Sequence, residues 1–167
     1  MRVHTLERTQ ILPVATGDAF EFFADAFNLE VITPPWLHFR VATPGPIAME
    51  AGALIEYRLR LHGLPIRWLT RIDVWEPGRR FEDRQLRGPY GLWHHTHAFA
   101  PHDAGTRMRD RVRYAMPLGP VGRLAHRVLV RRDLERIFDF RRDAVADRFG
   151  SAAVAASTAA KRFPGPD

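Results

Sequence analysis

The segment "WHHTHAF" (93–99) places three of the chain's eight histidines within four positions. Imidazoles this close could ligate a metal, move protons or hydrogen-bond inside a core. On a strand from Leu92 to Ala100, side chains alternate between the two faces. Trp93, His95, His97 and Phe99 then share one face, and Leu92, His94, Thr96 and Ala98 share the other. The aromatic rings mark the first set as inward, so His95 and His97 point in and His94 points out.

The neighbouring strands supply carboxylates. A turn at 102–105 folds this strand onto the next, 106–116. Matching inward residues sets Trp93 opposite Tyr114, His95 opposite Val112 and His97 opposite Asp110. On the other side "RGPYG" (87–91) leads back to a strand carrying Phe81, Asp83 and Gln85. Asp83 falls opposite His95 or His97, depending on a two-residue difference in register. The inner face is thus expected to hold Asp83, Gln85, His95, His97, Asp110 and Tyr114 as a polar island among Trp68, Trp93 and Phe99.

Four kinds of chemistry are open to such an island. It can be a buried hydrogen-bond network, since polar groups inside a sheet must be paired. It can be the polar anchor of an apolar ligand cavity. It can be an acid–base pair, in which a carboxylate orients a histidine for enolisation or dehydration of a carbonyl compound. Two histidines at i and i+2 with a carboxylate also suit a divalent metal. That last motif is weak on a strand and no third histidine lies near, so no metal and no cofactor is assigned. His4, His38, His62 and His126 are scattered and are expected to be surface or internally satisfied residues.

The elements that must position these residues follow from periodicity. Residues 2–12 read as a strand stopped by Pro13. Thr16 caps a helix over 17–27 with Ala19, Phe20, Phe23 and Phe27 on one face. "NLEVIT" suggests a second short helix, ended by Pro34 and Pro35. Strands are then expected over 36–43, 53–61, 65–75, 80–87, 92–100 and 106–116, separated by turn-forming stretches. Ile55, Tyr57, Leu59 and Leu61 alternate with Leu54, Glu56, Arg58 and Arg60, as in an antiparallel sheet with one wet face. From Gly119 and Pro120 the period becomes helical, through Val121, Leu124, Val128, Leu134, Ile137, Phe138, Val145 and Phe149, with Gly150 as the stop. A helix of about 30 residues is long enough, at ~45 Å, for the sheet to curl around. This gives an α+β fold in one domain, 1–150, followed by a low-complexity tail, 151–167, expected to be mobile. Two short helices after the first strand would close one end and leave a cavity between sheet and helix, with Trp36 a candidate gate.

Composition narrows the function classes. The chain of 167 residues carries no cysteine, which excludes disulfides, thiolate metal sites and a cysteine nucleophile. No apolar run is long enough to be a transmembrane segment. The opening "MRVHTLERTQIL" does not read as a signal peptide, and a cytoplasmic protein is expected. There is no GxSxG elbow and no phosphate-binding loop. The formal net charge is +6, nearly all from arginine. Arg107, Arg109, Arg111 and Arg113 make a basic row on the outer face, joined by Arg58, Arg60, Arg67 and Arg71, with Glu56, Asp73 and Glu82 to neutralise part of it. The row lacks interleaved aromatics, so no nucleic-acid partner is expected. It is a candidate for peripheral contact with an acidic membrane. Nothing fixes an oligomeric state.

The order strand, two short helices, six strands, long helix resembles the helix-grip fold of the START-like (SRPBCC) superfamily. That superfamily includes birch-pollen-allergen-like proteins, lipid-transfer START domains and polyketide cyclase/dehydrase proteins. The stretches "PPWLHF" (34–39), "FEDRQLRGPYGLWHHTHAF" (81–99), "GTRMRDRVRYAMPLGP" (105–120) and "IFDFR" (137–141) are similar to a bacterial cyclase/dehydrase-like branch. In some relatives that domain is joined to a nucleotide-sugar-epimerase-like domain. The resemblance spans 2–149. It implies a small-molecule-binding domain with a mostly apolar cavity and no particular reaction. The expected function is binding of a small hydrophobic or amphipathic molecule, such as a lipid, polyketide or isoprenoid-like compound. The expected cavity residues are Tyr57, Trp68, Asp83, Gln85, Trp93, His95, His97, Asp110, Tyr114, Ile137 and Phe138. The alternative is a polyketide cyclase or dehydratase using His95 or His97 with Asp83 or Asp110.

Overall fold

Alternating apolar and polar side chains produce seven strands that form one antiparallel sheet. They are β1 (His4–Leu12), β2 (Arg40–Val41), β3 (Leu54–Leu61), β4 (Leu64–Glu76), β5 (Arg80–Arg87), β6 (Leu92–His102) and β7 (Gly105–Ala115). The order across the sheet is β1-β7-β6-β5-β4-β3-β2, a meander from β2 to β7 with β1 added beside β7. This is a computed structural model, and it describes residues 2–160.

Between β1 and β2 lie helix α1 (Thr16–Ala24) and two 3-10 turns, Ala26–Glu30 and Pro35–Leu37. After β7 come α2 (Gly119–Ala125), a π-helical turn (His126–Val130) and α3 (Arg131–Ala160). The helical backbone is unbroken at both junctions. Leu134 and Phe138 of α3 pack on Leu6, Trp93, Val112 and Tyr114, whereas Val145 and Phe149 pack with Phe20, Phe81 and Phe99. The sheet is thereby gripped against α3, and α1 closes one end.

Several expectations need correction. Thr16 does not cap α1; its hydroxyl lies 3.2 Å from that of Thr106. The second short helix shrinks to a single 3-10 turn, and the strand expected over 36–43 shrinks to Arg40–Val41. Pro35 instead starts the second 3-10 turn, which ends at His38 with φ 44°. Val121, Leu124 and Val128 are exposed rather than packed. The π turn between them and Leu134 widens the helix locally and shifts the phase of the apolar face. Gly150 does not end the helix, which continues to Ala160. The alanine-rich stretch beyond it favours helix enough to outweigh one glycine. Residues 161–167 of the expected tail lie outside the described residues.

Two local features set the register at the site. The β6–β7 hairpin turns at Gly105, where φ is +125° and any Cβ would overlap the Leu12 carbonyl. In β4, Asp73 is skipped between the pairs Ile72–Asp83 and Val74–Glu82. The resulting bulge bends the sheet, and Asp73 takes the Arg71 and Arg84 guanidiniums at 2.7 and 2.9 Å on the outer face.

Candidate functional site

Strand alternation places Trp93, His95, His97 and Phe99 inward, all four buried. The register sets His95 opposite Val112 and His97 opposite Asp110, as the hairpin requires. On the other side Asp83 pairs with His95, which fixes the register left open by the sequence. His94 faces outward and contacts Glu82 at 3.1 Å.

The two inward histidines are bracketed by carboxylates. Asp110 Oδ1 lies 3.1 Å from His95 Nε2 and 2.8 Å from His97 Nδ1. The first is an aligned hydrogen bond. The second is a close ionic contact whose N–H does not point at the oxygen, leaving Nδ1 without an aligned partner. From the cavity side Asp83 Oδ2 lies 3.4 Å from His97 Nε2 and 3.7 Å from His95 Nδ1. The imidazole centroids are 3.8 Å apart. Phe81 stacks on His97 at 4.2 Å, and Phe138 sits edge-on to His95 at 5.7 Å.

This geometry splits the two histidines electrostatically. Burial, and then the charge on His97, push the basicity of His95 down; the Asp110 bond only partly opposes them. Burial also works against a charged His97. There the two carboxylates together win, and its pKa lies above the ordinary histidine value. Burial would raise Asp110, yet the paired imidazoles hold its carboxyl well below the usual range. Two imidazoles in contact titrate as a coupled pair. The carboxylates favour the proton on His97, whereas burial and the His97 charge disfavour it on His95. In the tautomer whose Nε2–H donates to Asp110, the His95 Nδ1 lone pair lies on the side of Asp83 and the cavity.

Asp83, His95 and His97 each offer one donor atom, all within 4.8 Å of one another. One carboxylate oxygen and two imidazole nitrogens form a set that could hold a divalent transition metal. The same atoms already meet one another as imidazole–carboxylate contacts.

Next to this wall is a cavity of about 150 Å³ between the sheet, α3 and the turn at Ala26–Glu30. Its lining includes eight of the eleven expected residues: Tyr57, Trp68, Asp83, Trp93, His95, His97, Ile137 and Phe138. Trp68, Tyr90 and Trp93 form an aromatic corner, with Trp68 and Trp93 edge to face at 5.1 Å. Burial, reinforced by the charge of Asp83, keeps the Tyr57 hydroxyl protonated far above the ordinary phenol range, so it serves as a donor.

The other three expected residues are placed elsewhere. The Gln85 amide folds back on its own hairpin, bonding the Tyr90 carbonyl at 2.8 Å and the Tyr90 N–H at 3.3 Å. The Tyr114 hydroxyl meets His126 Nε2 at 3.0 Å, and His126 stacks on His4 at 3.6 Å. Asp110 contacts the histidines from the side away from the main cavity. Trp36 does not line the cavity; the Arg136 guanidinium lies over its exposed ring at 5.4 Å.

No protein-family model and no curated protein matches the chain. Solved structures do. The Zhui aromatase/cyclase from Streptomyces sp. R1128 superposes with a TM-score of 0.72 at 17% identity, over 89% of this chain and 94% of that one. Ara h 8.0201 gives 0.64 at 16%, over 90% and 99%. A nucleoside-diphosphate sugar epimerase from Corynebacterium glutamicum gives 0.61 at 20%, over 85% of this chain and 28% of that one. This chain shares with them the helix-grip fold. At such identities the likeness extends to the fold alone, so the chemistry has to be argued from the site.

Within the helix grip, sequence reasoning missed part of the lining. Phe23, Leu29 and Phe39 enter from α1 and the segments that follow it, and Leu134 and Arg141 enter from α3. Arg141 had a readable signal. It follows Ile137 by four positions and Phe138 by three, the spacing of one helix face.

Proposed function

We propose that the protein binds a small hydrophobic or amphipathic molecule between the sheet and α3. The observation that carries this reading is an apolar cavity with one polar wall of Tyr57, Asp83, His95 and His97. Apolar enclosure supplies affinity, and a few convergent polar groups set orientation. A volume of about 150 Å³ admits a single ring with a short substituent. A lipid-length chain needs α3 or the turn at Ala26–Glu30 to move outward.

A cyclase or dehydratase activity is the second reading, favoured by the divided histidine pair. Neutral His95 has a free Nδ1 to take a proton beside a carbonyl, and cationic His97 can return one. Neighbouring titratable groups whose basicities are pushed apart are the arrangement that acid–base catalysis uses. The Zhui protein is itself an aromatase/cyclase.

No helix among the described residues is long and apolar enough to cross a membrane. Glu7 pairs with Arg109 at 2.9 Å and Arg111 at 3.1 Å, neutralising part of the basic row. Contact of that row with an acidic membrane therefore forms no part of the proposed function.

Native mass spectrometry of the protein as isolated, followed by thermal shift against compact aromatic compounds, tests the binding reading. A retained small molecule or a saturable rise in melting temperature is expected. A protein that carries nothing and is stabilised by none of them contradicts it.

A further inference from the structure

Arg141 is the cation of the cavity wall that the histidine network does not use. It lines both the main cavity and the smaller one beside Asp110. Its Nε and Nη1 are buried and have no hydrogen-bond partner. No ion pair among the described residues involves it, although its neighbours on α3 find partners readily. Arg142 takes Asp143 at 2.8 Å and Asp139 at 3.6 Å, and Arg131 takes Glu135 at 3.0 Å. Asp83, the one carboxylate among the main cavity's lining residues, contacts the histidines instead. The Arg141 guanidinium lies over the Phe138 ring at 5.4 Å, which holds it against the apolar wall. Tyr57 on β3 lines the same main cavity, and the Arg141 charge acts on its hydroxyl.

Two of the three guanidinium nitrogens are buried without acceptors, which is costly because their lost hydration is not replaced. An anionic ligand replaces it. The planar fork matches a carboxylate in two parallel hydrogen bonds. We infer that the cavity selects a compact apolar carboxylic acid, its carboxylate held by Arg141 with help from the Tyr57 hydroxyl. The apolar remainder lies against Trp68, Tyr90 and Trp93. This rests on the proposed ligand-binding reading and adds the chemical class of the ligand.

The test is calorimetric titration of the full chain with a matched pair, 4-ethylbenzoate and 4-ethylbenzyl alcohol, at neutral pH. The wild type should bind the acid at least about tenfold more tightly, as expected for charge-assisted bonds in a buried site. Arg141→Met keeps an apolar stem and removes the fork. It should erase the preference while leaving alcohol affinity within about threefold, and Arg141→Lys should keep only part of it. Arg141→Met should also melt no lower than wild type, since it removes an unpaired charge. Equal affinity of the wild type for acid and alcohol overturns the inference and leaves ligand binding standing. A preference that survives in Arg141→Met does the same. If neither compound binds, both readings fall. Should Arg141→Met not fold, the wild-type comparison and Arg141→Lys still decide.

Discussion

Asp110→Asn removes the charge shared by both inward histidines and keeps the side chain's shape. In the wild type Asp110 Oδ1 makes buried contacts at 3.1 and 2.8 Å. Hydrogen bonds to charged groups contribute roughly 1.5–3 kcal/mol each, and breaking one side of a buried pair costs about 3–5 kcal/mol. Asn can still accept from His95 Nε2, so a loss of about 3 kcal/mol near pH 6 is expected. For a chain of this size that lowers the melting temperature by about 6–12 °C. The pH dependence is more telling than the size. His97 has a raised pKa in the folded state, so its contribution is complete below the unfolded value near 6.5 and fades as pH rises through the folded value. Asp110 has a lowered pKa, so its contribution is present above its ordinary value of 3.8 and is lost as pH falls through the folded one. The gap between wild type and Asp110→Asn should therefore be widest between those two ordinary values and narrow on the alkaline side. Urea denaturation of both proteins from pH 4 to pH 9 measures it. A gap below about 0.5 kcal/mol, or one independent of pH, refutes the paired-histidine reasoning.

Other variants probe the frame around the pair. His94→Ala, on the outer face, should change stability by less than about 1 kcal/mol, because Glu82 keeps Arg80 at 3.2 Å when the imidazole is removed; an effect as large as that of Asp110→Asn would show that the strand faces are misassigned. Phe138→Ala should cost about 3–5 kcal/mol by denaturation and enlarge the cavity, so that bulkier aromatic probes give larger thermal shifts than in wild type. Gly105→Ala should destabilise by more than about 1 kcal/mol, since φ is +125° and the Leu12 carbonyl leaves no room; a neutral effect in a melting experiment would mean the hairpin relaxes freely.

The inner half of the site was legible because strand alternation is strict and the β6–β7 turn is short. Those two facts alone place His95 and His97 inside and set Asp110 opposite His97. The partner of Asp83 was not legible. The five-residue "RGPYG" connection does not fix a register, and β4 and β5 pair with shifts near Thr70 and Asp73. Gln85 and Tyr114 shared the inward parity of the cavity residues, but parity does not show how far along a strand the cavity reaches. Gln85 lies at a hairpin end and Tyr114 beside the π-helical turn, where local hydrogen bonds claim them. The exposure of Val121, Leu124 and Val128 was not legible because a π turn cannot be read from apolar spacing. Residue type alone points Arg141 to solvent, because an arginine on a helix is normally solvated. Its helical spacing from Ile137 and Phe138 puts it on the inward face, and the packing of α3 shows it lining the cavity.

The central claim is that this cavity takes a small apolar molecule, and the four tryptophans report on it. Trp68 and Trp93 line the cavity, whereas Trp36 lies outside it under Arg136. Indole N–H resonances followed by NMR during titration with 4-ethylbenzoate should show saturable shifts at Trp68 and Trp93, with Trp36 unmoved. Shifts confined to Trp36, or none that saturate, would contradict the account.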